Sequence, residues 1–126
     1  ASLGVELRYY DRPFAVEAEP FWSQGYNRAS RADTPARGFY VTGLYEIDER
    51  FDLVLSQDWF DPDESRIDLT FPDNATNARS RTLLGLNYYL DRAAYHRLML
   101  NYEWHIATEG PPRTADGWRV RYQYRF

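Results

Sequence analysis

The sequence predicts an all-β fold, an antiparallel transmembrane β-barrel segment of about seven meander strands, on three observations. Apolar and polar residues alternate with period two over most of the chain. The connections between the alternating runs are short and long by turns. Aromatic residues make up 17% of the chain, with 11 Tyr and 4 Trp, well beyond what one small core needs. Tyr and Trp carry an apolar body and a polar tip and gather where a bilayer meets water.

The runs follow in order. "LGVELRYY" sets Leu3, Val5, Leu7 and Tyr9 against Gly4, Glu6, Arg8 and Tyr10. "FAVEAEPFW" sets Phe14, Val16, Ala18 and Trp22 against Glu17, Glu19 and Phe21. Pro20, which donates no ladder hydrogen bond, predicts a bulge or a strand end nearby. "GFYVTGLYEI" sets Phe39, Val41, Tyr45 and Ile47 against Tyr40, Thr42, Leu44 and Glu46. "FDLVLSQDWF" sets Phe51, Leu53, Leu55 and Trp59 against Asp52, Val54, Ser56 and Asp58. "RTLLGLNYYL" sets Leu84, Leu86, Tyr88 and Leu90 against Leu83, Gly85, Asn87 and Tyr89. "RLMLNYEWHI" sets Leu98, Leu100, Tyr102, Trp104 and Ile106 against Arg97, Met99, Asn101, Glu103 and His105. The last run, Trp118 to Phe126, sets Trp118, Val120, Tyr122, Tyr124 and Phe126 against Arg119, Arg121, Gln123 and Arg125. Most runs are near the ~9–11 residues with which a tilted strand crosses a bilayer.

Short turns are expected at Asp11-Arg12, Asp48-Glu49-Arg50 and Asp91-Arg92-Ala93-Ala94, and long loops at about 24–37, 61–79 and 108–116. Outer-membrane barrels sort their connections in this way, with short periplasmic turns and longer extracellular loops. Placing Phe126 on the periplasmic side puts every short turn there too. Seven strands leave two edges, and an open edge in lipid exposes unpaired backbone groups. The chain is therefore expected to form the C-terminal portion of a larger barrel, residues 1–126 making one β-barrel domain, with the remaining strands in another segment or chain. "SRIDLTF" also alternates and would give an eighth span. It is short, and counting it as a span would invert the sides of the earlier turns, so it is read as a β-extension of a long loop.

Composition bounds the rest. The mean hydropathy of −0.69 reads as soluble. Alternating strands average out to that value, however, and no apolar run approaches the ~18 residues of a membrane helix. Net charge is −4, so nucleic acid is not an expected partner. There is no cysteine, which excludes disulfides and thiolate metal sites. All 15 basic residues are arginine. No cofactor and no catalysis are expected. Ser56 and Asp58 have no histidine clearly nearby, and the acidic "DPDESRID" lacks the glycine-centred pattern of a calcium loop and reads as solvated.

Three stretches resemble the C-terminal part of the phosphate-selective porins of bacterial outer membranes. They are "GFYVTGLYEIDERFDLVLSQDWFDPD", "RTLLGLNYYLDRAAYHRLMLNYEW" and "GWRVRYQYRF". The shared features are the Asp58–Asp63 strand end, Gly85–Leu90, Leu100–Tyr102 and the terminal Phe126. The resemblance covers about residues 38–126 well and the rest loosely. It implies a barrel of about sixteen strands, usually a homotrimer, that passes small anionic solutes by facilitated diffusion, with Phe126 as an assembly signal. That family's lysine- and arginine-rich constriction loop has no match in this chain, which has no lysine.

If the aromatic faces meet lipid, the alternate faces line a lumen. Its candidate basic lining is Arg81, Arg97, Arg119, Arg121 and Arg125, and its acidic lining Glu17, Glu19, Glu46, Asp52 and Asp58. Acids fall on the earlier runs and arginines on the last three, an arrangement that would set a field across a pore. Arginine forks suit oxyanions. The simpler alternative is that these charges are solvated or paired across strands. Two other functions fit the same pattern. One is a barrel sheath that houses another protein or an electron carrier. The other is a soluble β-barrel or sandwich, which requires Leu98, Leu100, Tyr102, Trp104 and Ile106 to be buried against protein.

Overall fold

The computed structural model describes residues 1–24, 34–64, 67, 69–70, 77–91, 96–111 and 113–124. Among them the fold is all-β, without a helix. The strands are β1 (Ser2–Gly4), β2 (Leu7–Asp11), β3 (Phe14–Gln24), β4 (Pro35–Glu46), β5 (Phe51–Asp61), β6 (Arg79–Asp91), β7 (His96–Ala107) and β8 (Thr114–Gln123). They form one antiparallel meander, with β1 and β2 both paired to β3 and each later strand to its predecessor. Among the described residues β8 does not pair with β1 or β2, so the sheet is open.

The seven alternating runs thus occupy seven positions in the sheet. The count is eight because the first run is split, and Pro20 is the reason. Gly4 faces Phe21 and Leu7 faces Ala18, which places Val5 opposite Pro20 in unbroken register. The Val5 N–H donates to the Pro20 carbonyl at 3.1 Å. Such a pair normally exchanges two bonds. Pro20 has no N–H to return the second, and the ladder lapses there.

Three strands start earlier than the alternation shows. β4 begins at Pro35, where Arg37 lies between Trp22 and Asp61. β6 begins at Arg79, and β8 at Thr114 in the turn-like stretch "TADG". In each case a formed neighbouring strand supplies pairing that local propensity opposes. The long connections accordingly shrink to residues 25–34, 62–78 and 108–113. Residues 67, 69 and 70, the described part of "SRIDLTF", are outside any strand.

The short connections all lie at one end of the sheet. Arg12 and Pro13, joined by a cis peptide, link β2 to β3. Between β4 and β5 the Asp48 carboxylate accepts from the Arg50 and Phe51 amides at 2.7 and 2.9 Å, while the Ile47 N–H donates to the Phe51 carbonyl at 2.9 Å. Asp therefore stands where a side chain must mimic a backbone acceptor. Between β6 and β7 a register shift after Tyr89 precedes the last pair, Asp91 with His96, and residues 92–95 of the third expected turn lie outside the described residues.

At the other end, the first three residues of "DPDESRID" are buried rather than solvated, which corrects that part of its reading, while Glu64 and Ile67 are exposed and residues 65, 66 and 68 lie outside the described residues. Asp61, Pro62 and Asp63 are buried with Thr34, Ala36, Asn77 and Ala78. Hydrogen bonds tie them down: Asp63 N–H to the Asp61 carboxylate, Glu64 N–H to the Pro35 carbonyl and Ala78 N–H to the Glu109 carboxylate, each at 3.1 Å.

What the sheet lacks is an apolar core. The only buried hydrophobic residues among those described are Ala36, Ala78, Tyr89 and Met99. The chain exposes 8891 Å2, against about 7,000 Å2 for a compact globular protein of 14.9 kDa.

Candidate functional site

The register sorts the side chains into two faces of opposite character. On one, Phe14, Tyr45, Leu53, Leu86, Leu100 and Val120 form one cross-strand row, and Phe51, Tyr88, Leu98 and Tyr122 another. This apolar face is exposed: Leu55 is 56%, Leu98 40%, Leu100 43% and Ile106 45% accessible. Together with the other exposed hydrophobic side chains of this face they exceed the few hundred Å2 of a typical soluble monomer's largest patch.

The face is banded. Phe14 and Trp22 on β3, Phe51 and Trp59 on β5, and His96 and Trp104 on β7 each lie eight residues apart on the same side. At ~3.3 Å per residue that is about 27 Å along the strand, or about 20 Å along a bilayer normal at 35–45° tilt. Near the turns the rings cluster as Phe14 with Tyr45 and Phe51 with Tyr88 at 5.0 Å, and His96 with Tyr124 at 4.1 Å. Near the loops Phe39 stacks with Trp59 at 6.2 Å, and Tyr102 meets Trp104 and Trp118 at 4.5 and 4.9 Å. Aliphatic side chains fill most of the space between. One polar group interrupts the face and satisfies itself. Gln57 donates to Ser80 Oγ at 2.6 Å and accepts from Thr82 Oγ1 at 2.5 Å. The Tyr102 hydroxyl likewise donates to Asp116.

The opposite face is polar and more enclosed. Asp52 is 1%, Glu103 4% and Asn87 5% accessible. With no second layer above it among the described residues, that asymmetry is what a sheet curled toward its polar side produces. Every described candidate lining residue lies here. Glu17 accepts from the Tyr40 hydroxyl at 2.9 Å and faces Arg8 at 3.9 Å, and Glu19 lies directly opposite Tyr40 in the register. Glu46 takes the Tyr10 hydroxyl at 3.2 Å and Arg12 at 3.4 Å. The Tyr10 hydroxyl and then Glu46 hold the Arg12 guanidinium above its ordinary pKa, so this turn stays charged. Asp52, Tyr89, Arg97 and Gln123 form a chain across four strands: Tyr89 bonds Asp52, and Arg97 bonds Tyr89 at 3.5 Å and Gln123 at 2.7 and 2.9 Å.

The arginines are not equivalent. Arg81 grips Asp58 with two donors at 2.8 and 2.6 Å. Arg119 lies 3.1 Å from Glu103, whose same oxygen is 3.2 Å from His105 Nε2. Pairing across strands therefore holds for these two, each contact worth ~0.2–1 kcal/mol where solvent reaches it. Arg121, opposite Met99, has no ion pair or hydrogen bond among the described residues. Arg125 and Phe126 lie outside the described residues. The sequence reading missed Arg79, opposite Phe60, because it started that strand at Arg81. The spacing of two residues from Arg81 was the available signal.

The site holds no constellation for covalent chemistry among the described residues. Ser56 shares its hydroxyl bond with Thr42 at 2.9 Å, not with a histidine. No group of three metal-ligating side chains is found among them. What the face can do is present charge in two zones, acids on β3 to β5 and arginines on β6 to β8 with Glu103 on β7 the exception, to whatever it encloses. No family model, curated protein or solved structure matches the chain.

Proposed function

We propose that this chain is a wall segment of a bacterial outer-membrane porin, a water-filled β-barrel channel for passive or facilitated diffusion of small, preferentially anionic solutes. The observation that carries the reading is the inversion of the sheet. The apolar, aromatic-banded face is exposed and the buried charges, Asp52 and Glu103, lie on the opposite face, the reverse of a soluble sheet that buries its apolar side. Strands of 10 to 13 residues from β3 to β8 suit a tilted crossing. The soluble alternative needed Leu98, Leu100, Tyr102, Trp104 and Ile106 packed against protein; Tyr102 is half-buried and the other four are exposed. In this reading the short turns are periplasmic and the long loops extracellular. Further strands, from another segment or chain, pair with β1/β2 and β8, because an unpaired edge is untenable in lipid. The porin resemblance adds a trimeric assembly and phosphate-like oxyanions as candidate solutes.

Arg121 and its neighbours on β8 supply the anion preference. The test is single-channel conductance of the full-length protein in planar bilayers, with the reversal potential read in a salt gradient. Anion preference is expected, reduced when Arg119, Arg121 and Arg125 are replaced by Gln. Cation preference contradicts the anion reading. A lumen that carries no ion current points to the sheath instead.

A further inference from the structure

We propose that the loop-side end of the polar face carries a binding subsite for small aromatic carboxylates, with Phe21 and Phe60 as a ring platform and Arg79 as the carboxylate anchor. The proposal deepens the channel reading and rests on it, since the face must be reached by water and solute.

Phe21 and Phe60 are the only phenylalanines on the polar face among the described residues. Their ring centroids lie 5.7 Å apart across Gly38, which pairs with both residues. A Cβ at position 38 would sit 2.5 Å from Phe21 Cζ and 2.7 Å from the Trp59 carbonyl oxygen, and the latter is backbone that cannot yield. Glycine thus keeps the two rings together at the loop-side end of a face whose other aromatic side chains there carry hydroxyls and whose aliphatic residues, Leu44, Val54 and Leu83, lie nearer its middle.

Arg79 is the direct cross-strand partner of Phe60, and Arg81 pairs with Asp58 and His105 in the next row. Asp58, Phe60, Arg79, Arg81 and His105 border a cavity of about 360 Å3. Phe21, Tyr40, Asp58, Phe60 and Arg81 border an adjoining one of about 280 Å3. These volumes are at the small-molecule scale. Arg81 is already matched by Asp58, whereas exposed Arg79 has no ion pair among the described residues. The strand spacing of about 4.8 Å is the scale of a benzoate whose ring lies over Phe60 and whose carboxylate reaches Arg79. A guanidinium meets a carboxylate with two parallel donors. An inorganic oxyanion would use Arg79 and leave the rings idle, and a neutral aromatic would do the reverse.

The experiment uses the full-length protein in planar bilayers, with sodium benzoate and sodium acetate as probes of the chloride current, and isothermal titration of benzoate into the detergent-solubilised protein. Benzoate is expected to interrupt the current at concentrations at least tenfold below those at which acetate does. Phe60→Leu, which keeps apolar volume without a ring face, and Arg79→Gln should each weaken benzoate at least fivefold in both measurements; Phe60→Leu should leave acetate unchanged, whereas Arg79→Gln should weaken acetate too. Heat-modifiable migration on gels verifies that the variants fold. A conducting channel on which benzoate and acetate act alike, or folded variants that bind benzoate as the parent does, overturns the subsite and leaves the porin reading intact. Benzoate binding that depends on Arg79 in a protein without ion conductance retains the subsite and overturns the channel.

Discussion

Replacing Leu100 with arginine tests which solvent the apolar face meets. Leu100 lies on β7 midway between His96 and Trp104, four residues from each, and its row runs through Leu53, Leu86 and Val120. Four residues are about 13 Å along the strand, or about 10 Å along the bilayer normal at the tilt of an outer-membrane strand. Arginine there would sit near the midplane and cost ~2–4 kcal/mol, whereas at Ile106, beyond Trp104, the cost should be ~0–1 kcal/mol. In water the comparison comes out differently. Leu100 is already 43% and Ile106 45% exposed, so both substitutions would stay within about 0.5 kcal/mol. The assay is reversible unfolding of the full-length protein in lipid vesicles by guanidinium, followed by tryptophan fluorescence. A difference of ~1–4 kcal/mol between the two variants is expected from that depth dependence. Equal and small effects would refute lipid contact.

Two further substitutions probe the polar face and the sheet edge. Arg119→Gln removes the close cation from Glu103, whose side chain is only 6% exposed, and leaves it His105. A loss of ~1–3 kcal/mol is expected, and a double-mutant cycle with Glu103→Gln should recover part of it; full additivity would show that the pair is not coupled. Pro20→Ala restores the N–H that the Val5 pair lacks. The new bond, ~1 kcal/mol, is offset by ~0.4–1 kcal/mol of lost chain stiffness, so global stability should scarcely move. The new backbone amide at position 20 should nevertheless be protected in hydrogen exchange and β1 should join β2. Rapid exchange of that amide would show that proline is not what parts them.

The sheet was legible because a period-two pattern survives wherever one face differs from the other in polarity. Phe51, Leu53, Leu55 and Trp59 fall on one side in the sequence and face Tyr88, Leu86, Leu84 and Ser80 in the structure. Pro20 signalled a lapse in the ladder, but β3 runs through it unbroken and the break falls on its partner run at Val5, which only the register reveals. Strand starts were hidden where pairing overrides propensity, as at Pro35 and across "TADG". Side-chain partners were hidden for a different reason: Arg81 meets Asp58 only through register, and register depends on the buried turn residues that set the β5–β6 connection. The eight-residue interval from Phe14 to Trp22, Phe51 to Trp59 and His96 to Trp104 was present in the sequence, but it becomes a pair of belts only once those strands are aligned.

The most direct measurement exploits the absence of cysteine from this chain. Single cysteines placed from Arg97 to Trp104 on β7, in the full-length protein reconstituted into vesicles, can be probed with a membrane-impermeant maleimide. Labelling should alternate, fast at 97, 99, 101 and 103 and absent at 98, 100 and 102. Brominated lipid should quench a fluorophore at the second set alone. Equal labelling on both faces, or protection of the polar set with exposure of the apolar one, would contradict a wall that stands between lipid and water.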